Sequence, residues 1–276
     1  MPWVGFMSRV RFLGAHGGQS LQAQSTCLQV SDTCVIDAGN LMTGLEPAQA
    51  RTLTNVFLTH AHLDHIVDLA FFLDHYYAER SDTLHIYGLP ETLSALKTHF
   101  FNDVIWPDFT QIMLANQRPS LVLQPIALDA PVAIDSQLTL TAVWSNHSVA
   151  CCGFVIESDQ GALLFGADSW KNPAFWHRVN QHQQIHAVVV DVSFPDRLRS
   201  LAYASYHLTP TLLAETLTEL TRPEVKVYAW HLKPAFLDEI QAEWQALGFE
   251  PDHVLQDGDT IDLASGLKYS PKNQHA

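Results

Sequence analysis

What the chain lacks narrows the field first. No apolar run approaches the roughly 18 residues that a membrane-spanning helix needs, so a membrane protein is not expected. Basic charge is scarce: 15 Lys and Arg stand against 29 Asp and Glu, a formal net charge of -14. Phosphate contacts dominate nucleic-acid affinity and need a cationic surface, which argues against a general nucleic-acid binder. A small anionic substrate held by a local metal centre stays open. Cysteine is rare and unpatterned, with Cys27, Cys34, Cys151 and Cys152 forming no C-x-x-C pair. Adjacent cysteines seldom reach disulfide geometry, so buried free thiols in a reducing cytoplasm are expected and thiolate zinc sites are not. No repeat, low-complexity tract or Gly/Ser linker interrupts the sequence. The amino-terminal MPWVGFMSRVRFLGAHGG shows no basic head followed by an apolar stretch, so no secretory leader is expected.

What is present is a long chain with many apolar residues. Its 276 residues, 47% hydrophobic, suffice for a large core. Strands are expected at RVRFLG (9–14), TCLQV (26–30), TCVIDAG (33–39), NVFLT (55–59) and LHIYG (84–88). A helix is expected from Asp64 through IVDLAFFLDHYY and another over LPETLSALKTHFF (89–101), before an irregular aromatic region at 102–122. Strands resume at LVLQPIAL, QLTLTAVWS, CCGFVIES, GALLFGAD, HAVVVDVSF (186–194) and VKVYAW (225–230). Helices are expected at FWHRVNQH, TPTLLAETLTELT (209–221) and PAFLDEIQAEWQAL (234–247). Two β-rich halves with helices outside fit a sheet-on-sheet core covered on both faces, a four-layer αββα sandwich in the α/β class. With no composition shift to mark a boundary, residues 1–276 are expected to form one domain.

Histidine is the outlier, at 15 residues. Within NVFLTHAHLDHIVDLAFFL (55–73), His60, His62, Asp64 and His65 crowd six positions at the seam between an apolar run and a helix. Such side chains are costly in apolar surroundings unless something satisfies them, and a metal ion does so most completely. His60 and His62, two apart in an extended segment, point to one side, and Asp64 and His65 follow where a second ion could lie. His147, Asp168 and His231 each end a further expected strand, where open sheets usually build their sites. Five histidines and two aspartates suffice for two ions if one carboxylate bridges. The competing reading is a polar loop that happens to be rich in histidine.

The motifs HAHLDH, GADS and HLKP, with a distant histidine between them, resemble the metallo-β-lactamase fold superfamily. GLPET…FFNDVIWP, NHSVACCGFVIES, DVSFPD and HLTP narrow the resemblance to the class II 3′,5′-cyclic-nucleotide phosphodiesterases, over about residues 8 to 260. One departure stands out: AFFLDHYY follows HLDHIVDL where that family has a Gly or Ser and a small-residue turn. The resemblance implies two Zn2+ ions, with Mn2+ or Fe2+ as substitutes. One would lie on His60, His62 and His147, the other on Asp64, His65 and His231, with Asp168 bridging. It also implies a small-molecule cyclic nucleotide (cAMP, with cGMP a further candidate) opened to its 5′-monophosphate by metal-bridged hydroxide. A homodimer is compatible with it, and a cytoplasmic location is expected from the free thiols.

Three further positions, with a second role for Asp64, complete the candidate set. Asp64 doubles as a catalytic candidate beside the water. His207 in SYHLTP is a candidate general acid or phosphate donor, or else a histidine supporting the helix start. Lys233 either touches the phosphate or lies on the surface. Asp37 either orients a ligand histidine or caps a turn. Asp191, inside VVVDVSF, is expected either to support a ligand from behind or to form strand-end hydrogen bonds, and the Gly-rich loop that carries His16 is expected to border the cleft. Phe100, Phe101, Trp106 and Phe109 are expected in the core rather than along a purine pocket or a dimer contact. Alternatives to the phosphodiesterase are a hydrolase of another ester (an RNA 3′ end, a lactone or a thioester) and a non-catalytic metal-binding module. A projecting Lys/Arg-rich arm, expected of an RNA 3′-processing relative, is absent.

Overall fold

A computed structural model describes residues 9–271. The segment at 1–8, read above for a leader, and His275 lie outside the described residues. The first half lays down β1 (Arg9–Gly14), β2 (Cys27–Ser31), β3 (Cys34–Ile36), β4 (Asn55–Phe57), β5 (Leu84–Gly88) and β6 (Leu121–Pro125). Between the last four lie α1 (Pro47–Thr52), α2 (Leu63–Ile66), α3 (Asp68–Tyr76) and α4 (Pro90–His99). The second half adds β7 (Pro131–Ala133), β8 (Leu138–Trp144), β9 (Cys152–Ser158), β10 (Gly161–Phe165), β11 (Ile185–Asp191) and β12 (Lys226–Trp230). Its helices are α5 (Pro173–Gln181), α6 (Arg199–Ser205), α7 (Pro210–Thr216) and α8 (Leu237–Ala246). Then β13 (Thr260–Asp262) and β14 (Lys268–Tyr269) return to the edge of the first sheet.

Two sheets result, ordered β14-β13-β1-β2-β3-β4-β5-β6 and β12-β11-β10-β9-β8-β7. β3 through β6 run parallel, as do β10 through β12. Parallel neighbours require crossovers, and here the crossovers carry helices. The strand period of two then sorts side chains between layers. On β10, Leu163 and Phe165 join the cluster between the sheets, while Ala162 and Leu164 join the one beneath α5, α7 and α8. On β4, Phe57 faces the second sheet and Val56 faces the helices of the first half. A strand buried on both faces reads as a continuous apolar run, which is why GALLF shows no alternation. The αββα sandwich expected from the element order is therefore the observed architecture.

Some elements differ from expectation for identifiable reasons. The single helix expected from Asp64 is interrupted between α2 and α3. The Asp64 carbonyl accepts from Thr26 Oγ1 at 2.7 Å, and the Asp68 N–H donates to the Ala38 carbonyl at 3.0 Å, so that rung of the helical ladder is spent on the neighbouring loop. α1, α6, β7, β13 and β14 were not expected; each is short, and the strands among them lie at or next to sheet edges, where little periodicity accumulates. In the aromatic region, Phe100, Phe101 and Phe109 are buried and Trp106 packs beside them, as expected of core residues.

Phe154 is fully buried between the sheets, edge-on to Phe57 with ring centroids 5.8 Å apart. Phe154→Ala is expected to lower the unfolding free energy by about 3–5 kcal/mol in urea titrations. Leu21→Ala, at a fully exposed position, should change it by no more than about 0.5 kcal/mol.

Candidate metal centre

β4, β8, β10 and β12 all end at one rim of the sandwich, and each hands the chain to a short segment carrying His or Asp. After β4, extended backbone at His62 (φ -70°, ψ 151°) leads into α2, so His60, His62, Asp64 and His65 occupy a strand exit and a first helical turn. His147 follows β8, Asp168 follows β10 and His231 follows β12. All seven expected ligands converge. The ligand atoms of His60, His62, His147 and Asp168 lie within 4.8 Å of one another, as do those of Asp64, His65 and His231. His207 joins Asp168 and His231 in a third such group, which spacing had not indicated.

Asp168 is the hinge of the arrangement. Its Oδ2 lies 3.8 Å from His60 Nε2 and 3.9 Å from His147 Nε2. Its Oδ1 lies 3.4 Å from His65 Nε2 and 3.3 Å from His231 Nε2. Asp64 Oδ2 approaches His231 Nε2 at 3.4 Å, and His147 Nε2 approaches His62 Nδ1 at 3.2 Å. His60 Nε2, His65 Nε2, His231 Nε2 and Asp168 Oδ1 are buried without any hydrogen-bond partner. Four orphaned polar atoms aimed at one small volume are costly unless a cation lies among them. The chemistry and spacing of these donors fit divalent metal binding.

The far sides of the rings are held as firmly. His65 Nδ1 lies 2.7 Å from Asp37 Oδ2, and the Thr59 backbone N–H donates to Asp37 Oδ1 at 2.9 Å, so Asp37 contacts a histidine of the cluster. Thr59 Oγ1 donates to Asp37 and lies 3.0 Å from His60 Nδ1. Cys151 Sγ is 3.8 Å from that same nitrogen. His207 Nδ1 lies 2.6 Å from Asp191 Oδ2, so Asp191 makes hydrogen bonds at a strand end, as expected. Thr59 and Ser193 went unremarked in the sequence, because a lone hydroxyl beside a motif carries no periodic signal. Lys233 Nζ lies 3.5 Å from Asp64 Oδ2, at the centre and only a quarter exposed. His16 is buried against Asp257, and its loop lies against the cluster: at the neighbouring Gly17 a Cβ would sit 2.6 Å from the His231 ring. Asp37, Ala167, Tyr206 and His231 all adopt left-handed backbone (φ 60°, 55°, 60° and 65°), which for such residues costs on the order of 1 kcal/mol or more each.

Burial lowers the pKa of His60, His62, His147 and His231, with His147 brought down to about 4, so these rings are neutral at pH 7 and ready to ligate. His65 goes the other way. Burial disfavours its charge, but Asp168 and Asp37 outweigh burial and raise it well above the ordinary value. Asp168 is itself held low, burial notwithstanding, by His231, His65 and His60.

Comparison with known proteins follows the same lines. The family model for the Beta-lactamase superfamily domain matches residues 33–231. The chain belongs to that superfamily. It is similar to 3′,5′-cyclic-nucleotide phosphodiesterase 1 of Saccharomyces cerevisiae, 46% identical over 59 residues, covering 21% of this chain and 16% of that protein. It is also similar to a probable 3′,5′-cyclic-nucleotide phosphodiesterase of Yersinia pestis, 24% identical over 214 residues, 67% of this chain and 59% of that one. Both matches thus span less than two thirds of the curated relatives. The solved structure of unliganded yeast PDE1 superposes with a TM-score of 0.76 at 18% identity, covering 92% of this chain and 99% of that one. These likenesses bear out the resemblance read from the motifs, and the last concerns the fold. Among the described residues no helix is long and apolar enough to cross a membrane.

Two measurements follow. Zinc uptake at pH 7 is expected to release protons, since a charged His65 must become neutral to ligate, and calorimetry in buffers of different ionisation enthalpy reads their number. Asp37→Ala should weaken metal affinity by about 10–100-fold in chelator competition, since His65 loses the acceptor that orients it.

Proposed function

We propose that the chain, as one hydrolase domain over residues 1–276, opens 3′,5′-cyclic nucleotides to 5′-monophosphates at a centre of two divalent ions, zinc in the first instance. His60, His62 and His147 would hold one ion, Asp64, His65 and His231 the other, and Asp168 would lie between them. The observation that carries this reading is the division of the Asp168 oxygens between two histidine groups. The named activities of the two curated relatives supply the substrate class. Bound there, divalent ions supply Lewis acidity toward an anionic ester and a strong nucleophile at neutral pH.

The chain's own residues contribute the remainder. His207 is raised above its ordinary pKa: burial opposes its charge, and Asp191 outweighs burial. With Nδ1 engaged by Asp191, the proton to be donated is the one on Nε2, on a ring that lies in one group with Asp168 and His231. The ring donates that proton to the departing 3′ oxygen as the P–O3′ bond breaks and a hydroxide oxygen bonds to phosphorus, so the 3′ position is freed as a neutral hydroxyl while the phosphate stays on the 5′ oxygen. Lys233 offers a fixed cation beside Asp64 for a phosphate oxygen. One small anion needs only such local positive charge, which is compatible with a chain of net charge -14. Four free cysteines, all buried, suit a reducing cytoplasm.

The decisive experiment is zinc-loaded protein against cyclic AMP, cyclic GMP, bis-p-nitrophenyl phosphate and a tRNA precursor. Release of 5′-AMP from cyclic AMP is expected; no turnover of either cyclic nucleotide by fully loaded protein would reject the reading. His207→Ala should lower kcat by about 10²–10⁴-fold with metal content unchanged. An unaltered kcat would return His207 to the role of a helix-start histidine.

A further inference from the structure

Ser193 lies two residues beyond the end of β11, fully buried, and no role has yet been given to it. Its Oγ is 2.5 Å from Asp191 Oδ1, 2.8 Å from His231 Nδ1 and 3.1 Å from His207 Nδ1. A hydroxyl has one proton and two lone pairs. The proton goes to the ionised carboxylate, which makes the stronger bond. Ser193 then has only acceptor capacity left for the imidazole. His231 must therefore carry its proton on Nδ1, leaving Nε2 bare. That bare nitrogen is the orphaned one, facing Asp168 Oδ1 and Asp64 Oδ2 at 3.3 and 3.4 Å.

The first half of the chain contains the same device. Asp37 takes His65 directly and reaches His60 through Thr59 Oγ1. Asp191 takes His207 directly and reaches His231 through Ser193 Oγ. Each sheet thus supplies a strand-end carboxylate, one hydroxyl and two histidines, and the candidate centre lies between the two sets.

We propose that Ser193 is a positioning residue: polarised by Asp191, its hydroxyl holds His231 in the Nδ1–H form with Nε2 turned to the Asp64 side of the centre. The claim rests on the metal reading above, and its first test needs neither metal nor substrate. Ring ¹⁵N spectra of the metal-free protein at neutral pH should show His231 protonated at Nδ1 in the natural chain and in Ser193→Thr, but not in Ser193→Ala. An Nε2–H form in the natural chain, or the same tautomer in all three, overturns the proposal. A failure here is therefore separate from a failure to cleave cyclic nucleotides.

The second test is zinc affinity by chelator competition. Ser193→Ala should weaken one of the two ions by about 10–100-fold and leave the other in place. Thr59→Ala should weaken the opposite ion. Unchanged affinity, or equal loss of both ions on replacing Ser193, overturns the assignment. Because alanine opens space beside Asp191, Ser193→Val is compared with the near-isosteric Ser193→Thr. Retention by threonine and loss by valine supports the hydroxyl's role, and identical behaviour of the pair overturns it.

Discussion

A carboxylate with no hydrogen bonds to its Oδ1, buried among histidine nitrogens that also lack donors, is the constraint on which this structure turns. Asp168 has 1% of its surface exposed and faces histidines on both sides. Taken alone, such a cluster opposes folding, since every unsatisfied buried polar atom costs on the order of 1–3 kcal/mol. A divalent cation reverses that sign. The stability of the rim and its chemistry are thus one question, and the strand ends that deliver the ligands are arranged around it.

Those side chains are not left to find their orientations. Carboxylates and hydroxyls behind the rings set which nitrogen is bare. Left-handed backbone at Asp37, Ala167, Tyr206 and His231 sets where each side chain starts. Strain of this kind persists only where surrounding packing over-determines the conformation. Here the packing is the buried cluster between the sheets, with Phe12, Phe57, Phe154, Phe165 and Trp230 at 0% exposure. Rigid layers fix the strand ends, the strand ends fix the carboxylates, and the carboxylates fix the imidazoles.

Function follows from the asymmetry of that rim. His60, His65 and His231 are fully buried, whereas Asp64 and Lys233 keep roughly a quarter of their side chains open to solvent. The deepest nitrogens of the cluster are thus closed to solvent, while Lys233 lies beside the Asp64 carboxylate at its more open side. His207 stands between these zones, anchored by Asp191 and stacked near His231 at 5.3 Å between ring centroids. A small anion arriving from solvent would meet positive groups in order.

Local sequence was enough for the longer strand runs, for α3, α4, α5, α7 and α8, and for the HAHLDH turn, because those depend on periodicity and on spacing of a few residues; the short α1, α6, β7, β13 and β14 carried too little of either. It also pointed to Asp168 and His231 as strand-end residues. The grouping of His147 with His60 and His62 was legible only through the family resemblance, while the tertiary structure alone decided that His16 turns to Asp257 and that Thr59 and Ser193 stand between carboxylate and ring. The break between α2 and α3 belongs with these, since the groups that compete for its hydrogen bonds come from Thr26 and Ala38. The physical reason is common to all of them. A hydrogen bond acts over about 3 Å in space and is indifferent to distance along the chain, so a polar side chain's partner is set by how the layers pack.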